Sequence, residues 1–147
     1  AFLQKKVELD ADGIAALLNK KSGVLGISEL SSDMREVEAA CEKGDPKAIL
    51  SMKMYNYRIK KYIGAYAAAM GGVDIIVFTA GVGENQWSTR QEACEGLEFL
   101  GVKIDKELNK GLRGVEKVIS TADSKVTVCI IPTDEELMIA TDTMELL

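Results

Sequence analysis

The sequence contains no histidine, and this absence excludes several kinds of catalytic site. Ser–His–Asp triads, imidazole acid–base catalysis and the common histidine-based zinc sites all need that side chain. The three cysteines, Cys41, Cys94 and Cys129, are far apart and form no Cys-x-x-Cys pair. We therefore expect neither a disulfide framework nor a cysteine zinc site. Chemistry in this chain must depend on carboxylates, arginine, lysine, hydroxyl groups or a metal held by oxygen ligands.

A basic stripe and long apolar runs are also missing. The 18 Lys and Arg residues are scattered among 23 Asp and Glu residues, so nucleic acid is not expected as a partner. The apolar runs are only a few residues long and the N-terminal segment lacks the layout of a signal peptide, so we expect a soluble, cytoplasmic protein with no membrane partner. With 147 residues, 47% of them apolar, the chain is predicted to form a single domain over residues 1–147.

The most informative stretch is an apolar run that opens into two glycines. Residues 75–80 predict a buried strand, and the residues that follow predict a strand-to-helix turn. These are Gly81, Val82, Gly83, Glu84 and Asn85. The two glycines can take positive φ and let a ligand approach the backbone, while the helix start offers free N–H donors, so phosphate is the expected ligand. The alternative is that the glycines only make a tight turn.

Two familiar phosphate loops are excluded at this turn. The dinucleotide-binding fingerprint needs a third glycine where Gln86 stands, and no Gly-Lys-Ser/Thr follows as in a P-loop. Support for a nucleotide must therefore come from elsewhere in the chain.

Cap residues and apolar spacing predict the helices. They lie over residues 12–19, from Asp33 onward, from Pro46 to about Met70, from Ser88 to about Leu100, over 105–109 and after Thr133. Residues 23–26 are predicted as a loop. On the long helix, one face is predicted to pack on the sheet, with Met52, Tyr55, Ile59, Tyr62, Tyr66 and Ala69.

Further strands are predicted over residues 102–104, 115–120 and 125–131. Because strands alternate with helices, the sequence predicts an α/β layered domain.

Acidic residues follow the last predicted strand. Thr133 and Glu136 predict a capping box, and between them lie Asp134 and Glu135. If the two strands are neighbours, these carboxylates face the glycine turn, and carboxylates beside phosphates imply a bridging Mg²⁺. The alternative is that the acids only complement the dipole of the helix start.

Asp33 and Arg35, at another helix start, are a second polar pair of interest. Their spacing alone favours a helix cap and a surface arginine.

In combination, these motifs resemble the C-terminal part of acetate kinases. The resemblance is carried by residues 71–85, 95–101 and 131–137, and residues 31–35 and 62–66 fit the same family, so it covers essentially the whole chain. It implies a ribonuclease-H-like α/β domain of the sugar kinase, Hsp70 and actin superfamily, with a mixed sheet flanked by helices. It also implies reversible phosphoryl transfer from ATP to acetate, giving ADP and acetyl phosphate.

The resemblance assigns roles to particular residues. It implies that Asp33, Met34 and Arg35 contact the nucleoside, that Gly81–Asn85 line the nucleotide pocket, and that Glu135 belongs to a Mg²⁺ site. Position 134 is Asp where Asn is expected in most members, which weakens the choice of Glu135 over its neighbours.

The resemblance also implies what this chain leaves out. The acyl-binding arginines, the catalytic Asp and a histidine of the family correspond to sequence before residue 1, so we expect no catalytic residue here and an inactive fragment. Acetate and acetyl phosphate are expected to bind through the missing N-terminal domain, and a homodimer is implied. The alternatives are a propionate or butyrate kinase fragment, and a non-catalytic regulatory or dimerisation domain.

Overall fold

The computed structural model describes residues 2–146, without the side chains of residues 3–5. The chain divides after Arg58 into two compact units. The described residues of the first unit form α1 (Phe2–Val7), α2 (Ala11–Lys20), α3 (Gly23–Ser28) and α4 (Met34–Glu42). A long helix, α5 (Pro46–Met70), contributes residues to both units.

The second unit contains the sheet and the remaining helices. Its elements are β1 (Ile75–Phe78), α6 (Ala80–Asn85), α7 (Trp87–Cys94), a 3-10 turn (Glu98–Leu100), α8 (Lys106–Asn109), β2 (Lys117–Val118), β3 (Thr127–Ile130) and α9 (Glu135–Glu145). None of the helices within residues 2–146 is both long and apolar enough to cross a membrane.

The first unit packs around a small apolar cluster. Val37 of α4 and Ala48 and Met52 of α5 form its buried centre. The predicted loop at residues 23–26 is wrong, since these residues belong to α3. Val24 packs against the cluster, and this tertiary contact favours the helix over the weak helical propensity of its two glycines.

Helix α5 begins and ends at the residues that the sequence indicates. Asp45 Oδ1 accepts hydrogen bonds from the backbone N–H groups of Lys47 and Ala48, at 2.9 and 2.8 Å. The helix ends at Gly71 and Gly72, which have φ of 78° and 149°. The predicted limits of this helix are confirmed. They could be predicted because they depend on local cap chemistry.

The predicted buried face of α5 is wrong at its C-terminal half. Tyr62 and Tyr66 are 49% and 62% exposed, and their rings stack on each other with centroids 6.0 Å apart. The residues that pack into the second unit's core are Ile59 and Ile63, and Ala67 is buried. Apolar residues recur on two adjacent stripes of this helix, so spacing alone does not identify the buried one.

The sheet is small and mixed, in the order β1-β3-β2. β1 pairs with β3 in parallel, from Ile75 opposite Thr127 to Phe78 opposite Ile130, and β2 pairs with β3 antiparallel. The predicted strand at 102–104 is reduced to two isolated bridges, at Val102 and Ile104. The predicted α/β fold with a mixed sheet flanked by helices is confirmed.

One face of the sheet forms the core of the second unit. Ile76 and Phe78 of β1 lie there, and the other buried members are Ala93, Cys94, Leu97, Val102, Ile119, Val126, Val128 and Ile130. On the opposite face, Ile75 and Val77 are 59% and 45% exposed. The prediction that β1 is a buried strand is therefore correct for only one of its faces.

Helix α7 is shorter than predicted. It begins at Trp87 with Gln86 as its cap residue and no side-chain cap, so the predicted Ser88 capping box is wrong. It ends at Cys94, because Gly96 takes a φ of 80° and lets Leu97 turn into the core.

Candidate functional site

The predicted glycine turn is itself a short helix. Gly81–Asn85 lie inside α6, and neither Gly81 nor Gly83 has a positive φ, so that expectation is wrong. The sharp change of direction is made by Ala80, whose φ is 57°. A non-glycine residue with a positive φ is uncommon, and here it marks a tight strand-to-helix junction directly after β1.

The two glycines of α6 have different surroundings. A Cβ atom added to Gly83 lies 3.2 Å from the carbonyl carbon of Phe78, so α6 packs closely against the end of β1. A Cβ atom added to Gly81 meets no atom of the described residues within 4 Å. Gly83 thus permits close packing, whereas Gly81 leaves an open surface.

β1 and β3 are neighbouring parallel strands, which is the condition under which the sequence brings the acidic residues to the glycine turn. The hydroxyl oxygens of Thr79 and Thr133 are 2.8 Å apart. The backbone N–H of Thr133 donates to Oε1 of Glu84 at 2.7 Å. The glycine segment and the acidic segment are therefore joined through Glu84, at the edge of the sheet where ligands collect in open α/β folds.

The Glu84 carboxylate is fixed by several donors. The hydrogen bond from the Thr133 backbone lowers the pKa of Glu84, and the Ala80 N–H and the hydroxyl groups of Thr133 and Thr79 act in the same direction. Beside it, Asn85 Nδ2 donates to the carbonyl oxygen of Gly81 at 2.9 Å. Glu84 is thus a charged, positioned group that spans the two strand ends.

Arg90 is a residue of this region that the sequence analysis missed. It is fully buried in α7, and Nη1 donates to the carbonyl oxygens of Gly83 and Glu84 at 2.8 and 3.0 Å. Nε donates to Asn109 Oδ1 and Nη2 to the carbonyl oxygen of Leu112, each at 2.8 Å. These four acceptors are neutral oxygens.

Burial lowers the pKa of Arg90 to about 10, and the charge of Arg113 adds to this effect. The side chain remains charged at neutral pH. One sequence signal could have identified it: Arg90 stands three and four positions before Ala93 and Cys94, on the same helix face as these buried residues.

Helix α9 begins beside the same sheet edge. Asp134 is its cap, with Oδ1 accepting from the Leu137 N–H at 2.9 Å, so the predicted Thr133–Glu136 capping box is wrong. Thr133 instead contacts Glu84. Glu135 and Glu136 occupy the exposed first turn of α9. Within residues 2–146, no cluster of three acidic or cysteine side chains could hold a metal ion by itself.

The remaining predicted site residues lie in the first unit. Asp33 caps α4 by accepting from the Arg35 N–H at 2.9 Å, and it forms an ion pair with the Arg35 guanidinium at 2.6 Å. The side-chain hydrogen bond from Arg35 lowers the pKa of Asp33 to about 2. Met34 packs against the apolar cluster. The predicted cap is confirmed, and the exposed Arg35 guanidinium pairs with the capping carboxylate.

Comparison with known proteins identifies the family. The sequence model of the acetokinase family matches residues 1–141 of the chain. The chain belongs to the acetokinase family. The acetate kinase of Phocaeicola vulgatus is 69% identical over 146 residues, which are 99% of this chain and 36% of that protein.

Solved structures of acetate and propionate kinases share this fold. A crystal structure of Porphyromonas gingivalis acetate kinase superposes with a TM-score of 0.92 at 60% identity, covering 98% of this chain and 36% of that one. A propionate kinase from Francisella tularensis gives 0.84 at 34% identity, over 96% and 35% of the two chains. These likenesses confirm the predicted superfamily fold. The chain spans little more than a third of the length of the relatives that it matches.

Proposed function

We propose that this chain is the C-terminal, nucleotide-binding part of an acetate kinase, which transfers a phosphoryl group reversibly between ATP and acetate. The observation that carries the proposal is the 69% identity to a named acetate kinase over nearly the whole chain. The joined ends of β1 and β3 support it, because ligands of open α/β sheets bind at the carboxyl ends of strands.

Two segments of this chain are proposed to contact the nucleotide. Gly81–Asn85 line its pocket, where the absence of a side chain at Gly81 leaves the surface of α6 open. In the first unit, Asp33, Met34 and Arg35 contact the nucleoside. Arg35 suits this role because its planar guanidinium is exposed next to the Asp33 carboxylate, and such a group binds by stacking or by paired hydrogen bonds.

Glu135 is proposed as the Mg²⁺ ligand of this part. The donor set fits this ion, because Mg²⁺ is commonly held by one or two carboxylates together with phosphate oxygens and water rather than by a complete protein cage. Glu135 is exposed and stands two residues after Thr133, whose backbone N–H is bonded to Glu84, so its carboxylate is accessible to solvent near this end of the sheet. When bound, Mg²⁺ neutralises charge on the phosphates.

The isolated chain is proposed to be inactive, because phosphoryl transfer needs groups on both sides of the transferred phosphate. Incubation of the 147-residue chain with ATP, Mg²⁺ and acetate should give no acetyl phosphate. Appreciable turnover would show that the groups assigned to the missing part are dispensable and that the residue assignment is wrong.

Nucleotide binding is tested by calorimetric titration with ADP, with and without Mg²⁺, and with NAD as the control ligand. Saturable, Mg²⁺-sensitive ADP binding is expected. Gly81→Val should abolish it while leaving the fold intact, since a Cβ atom at this position meets open space. Unchanged binding in Gly81→Val would favour a non-catalytic dimerisation or regulatory domain.

A propionate kinase is the second candidate, favoured by the structural likeness to the Francisella tularensis enzyme. The higher identity to acetate kinases argues for acetate as the substrate of the whole protein. Comparing kcat/KM for acetate and propionate in the full-length enzyme decides between them.

A further inference from the structure

We infer that Arg90 is a positioning residue: through α6 and Glu84 it holds the Thr133–Glu135 segment in the conformation described. The expected effect of Arg90 on nucleotide binding rests on the proposed function. The series of hydrogen bonds from Arg90 through Glu84 to Thr133, called the relay below, is a property of the folded chain and does not depend on that function.

The first step of the relay is the end of α6. The last carbonyl groups of a helix have no partner within the helix, and those of Gly83 and Glu84 accept hydrogen bonds from Nη1 of Arg90. The Glu84 carbonyl also accepts from the Gly114 N–H at 3.1 Å. The positive charge of Arg90 at this end also complements the helix dipole. The backbone of Glu84 is therefore fixed from the core side.

The second step is the Glu84 side chain. Because its backbone is fixed, the carboxylate points toward the end of β3 and accepts from the Thr133 N–H at 2.7 Å. Thr133 stands directly before Asp134, the cap of α9, and two residues before Glu135. A shift of α6 would therefore be transmitted to the start of α9.

The third step concerns why an arginine is needed. Burying a charge that meets only neutral acceptors costs folding free energy. If position 90 only filled the core, an apolar residue would do so with a smaller loss of stability. The planar guanidinium satisfies acceptors from three segments at once, on α6, on α8 and at Leu112. A lysine, with a single ammonium group, cannot reach these directions together.

The test measures amide hydrogen exchange at Thr133 in the nucleotide-free chain. Thr127, whose N–H donates to the Asp74 carbonyl at the far end of the strand pair, is the internal reference. In Arg90→Lys, α6 loses part of its support and the hydrogen bond from the Thr133 N–H to the Glu84 carboxylate is weakened. The exchange rate of Thr133 relative to that of Thr127 is therefore expected to rise about tenfold. Ile119→Val, a core change away from α6, should change the two rates together.

A second pair of variants covers the case in which Arg90→Lys does not fold. Glu84→Ala removes the acceptor side chain at a partly buried position and should raise the exchange rate of the Thr133 amide to the same degree. Glu84→Gln keeps an acceptor oxygen and should restore most of the protection. Unchanged Thr133 exchange in Arg90→Lys or in Glu84→Ala overturns the inference.

ADP titration of the same variants separates the two proposals. Arg90→Lys is expected to weaken Mg²⁺-dependent ADP binding about tenfold if Thr133–Glu135 serves the nucleotide. If the unmodified chain binds no ADP while Thr133 responds as expected, the relay stands and the proposal that this part binds nucleotide by itself fails. If ADP binds but Thr133 does not respond, the function stands and the relay is overturned.

Discussion

Gly81 and Gly83 lie two residues apart in the same short helix but stand in different surroundings. An alanine in a helix is favoured over glycine by about 0.5–1 kcal/mol, because glycine loses more backbone entropy on folding. Gly81→Ala is therefore expected to raise the free energy of unfolding by this amount, since its Cβ meets open space.

Gly83→Ala is expected to lower the free energy of unfolding, despite the same gain in propensity. Its Cβ would press on the backbone of Phe78, and β1 cannot move away easily because it is paired with β3. We expect this overpacking to cost about 1–3 kcal/mol of the free energy of unfolding. Urea denaturation of the matched pair measures both changes. Equal stabilisation by both substitutions would show that α6 can move away from β1.

The Asp33–Arg35 pair gives a prediction about pH. Because the folded-state pKa of Asp33 is lowered to about 2 from 3.8, its stabilising contribution is complete above the ordinary pKa and is lost as the pH falls toward 2. Arg35→Ala is expected to return the pKa of Asp33 toward its ordinary value. NMR titration of the Asp33 carboxyl measures this, with Glu84, held by other donors, as the unaffected control. An unmoved Asp33 pKa would show that Arg35 is not its main partner.

At the scale of the element, the start of α9 depends on one side chain. Asp134→Ala removes the cap and is expected to cost about 0.5–2 kcal/mol, whereas Asp134→Asn keeps a capping oxygen and should cost little. Amide exchange at Leu137, whose N–H is the capped group, reports the difference. If both variants leave Leu137 equally protected, the α9 start is held by other contacts.

Strand β1 carries the second prediction at this scale. Its partner β3 lies on one side only, and Ile75 and Val77 are exposed, so β1 is an apolar edge strand of the described sheet. Such edges promote association between chains, and a lysine suppresses it. Val77→Lys is therefore expected to lower concentration-dependent association of the isolated chain in sedimentation velocity. Phe99→Lys, at an exposed position off the strands, should have a smaller effect. An equal effect of both would implicate general charge rather than the edge.

At the scale of the whole molecule, the sequence predicted the features that depend on local chemistry. The helices predicted over residues 12–19, 46–70 and 105–109 were correct, because each begins at a cap residue, Asp10, Asp45 or Asp105, that bonds backbone groups only two or three residues away. The sequence left open whether the two strands are neighbours, because their pairing joins segments that lie far apart in the chain.

Features that depend on distant contacts were not predictable from spacing. The exposed stripe of Tyr62 and Tyr66 differs from the buried one only by which neighbour covers it. Arg90 has the residue type of a surface position, and its burial depends on acceptors that are brought together by α6, α8 and the loop at Leu112. The role of Glu84 likewise depends on Thr133, far away in sequence.

The parallel pairing of β1 with β3 has a consequence for synthesis on the ribosome. The two strands are separated by roughly 50 residues, and at about 5–20 residues per second the first strand waits on the order of 3–10 seconds for the second. The backbone hydrogen bonds of α5 are local, so its helical turns form within microseconds. The nascent chain therefore carries an unpaired apolar strand for seconds, an interval in which chaperones can bind Ile75–Phe78.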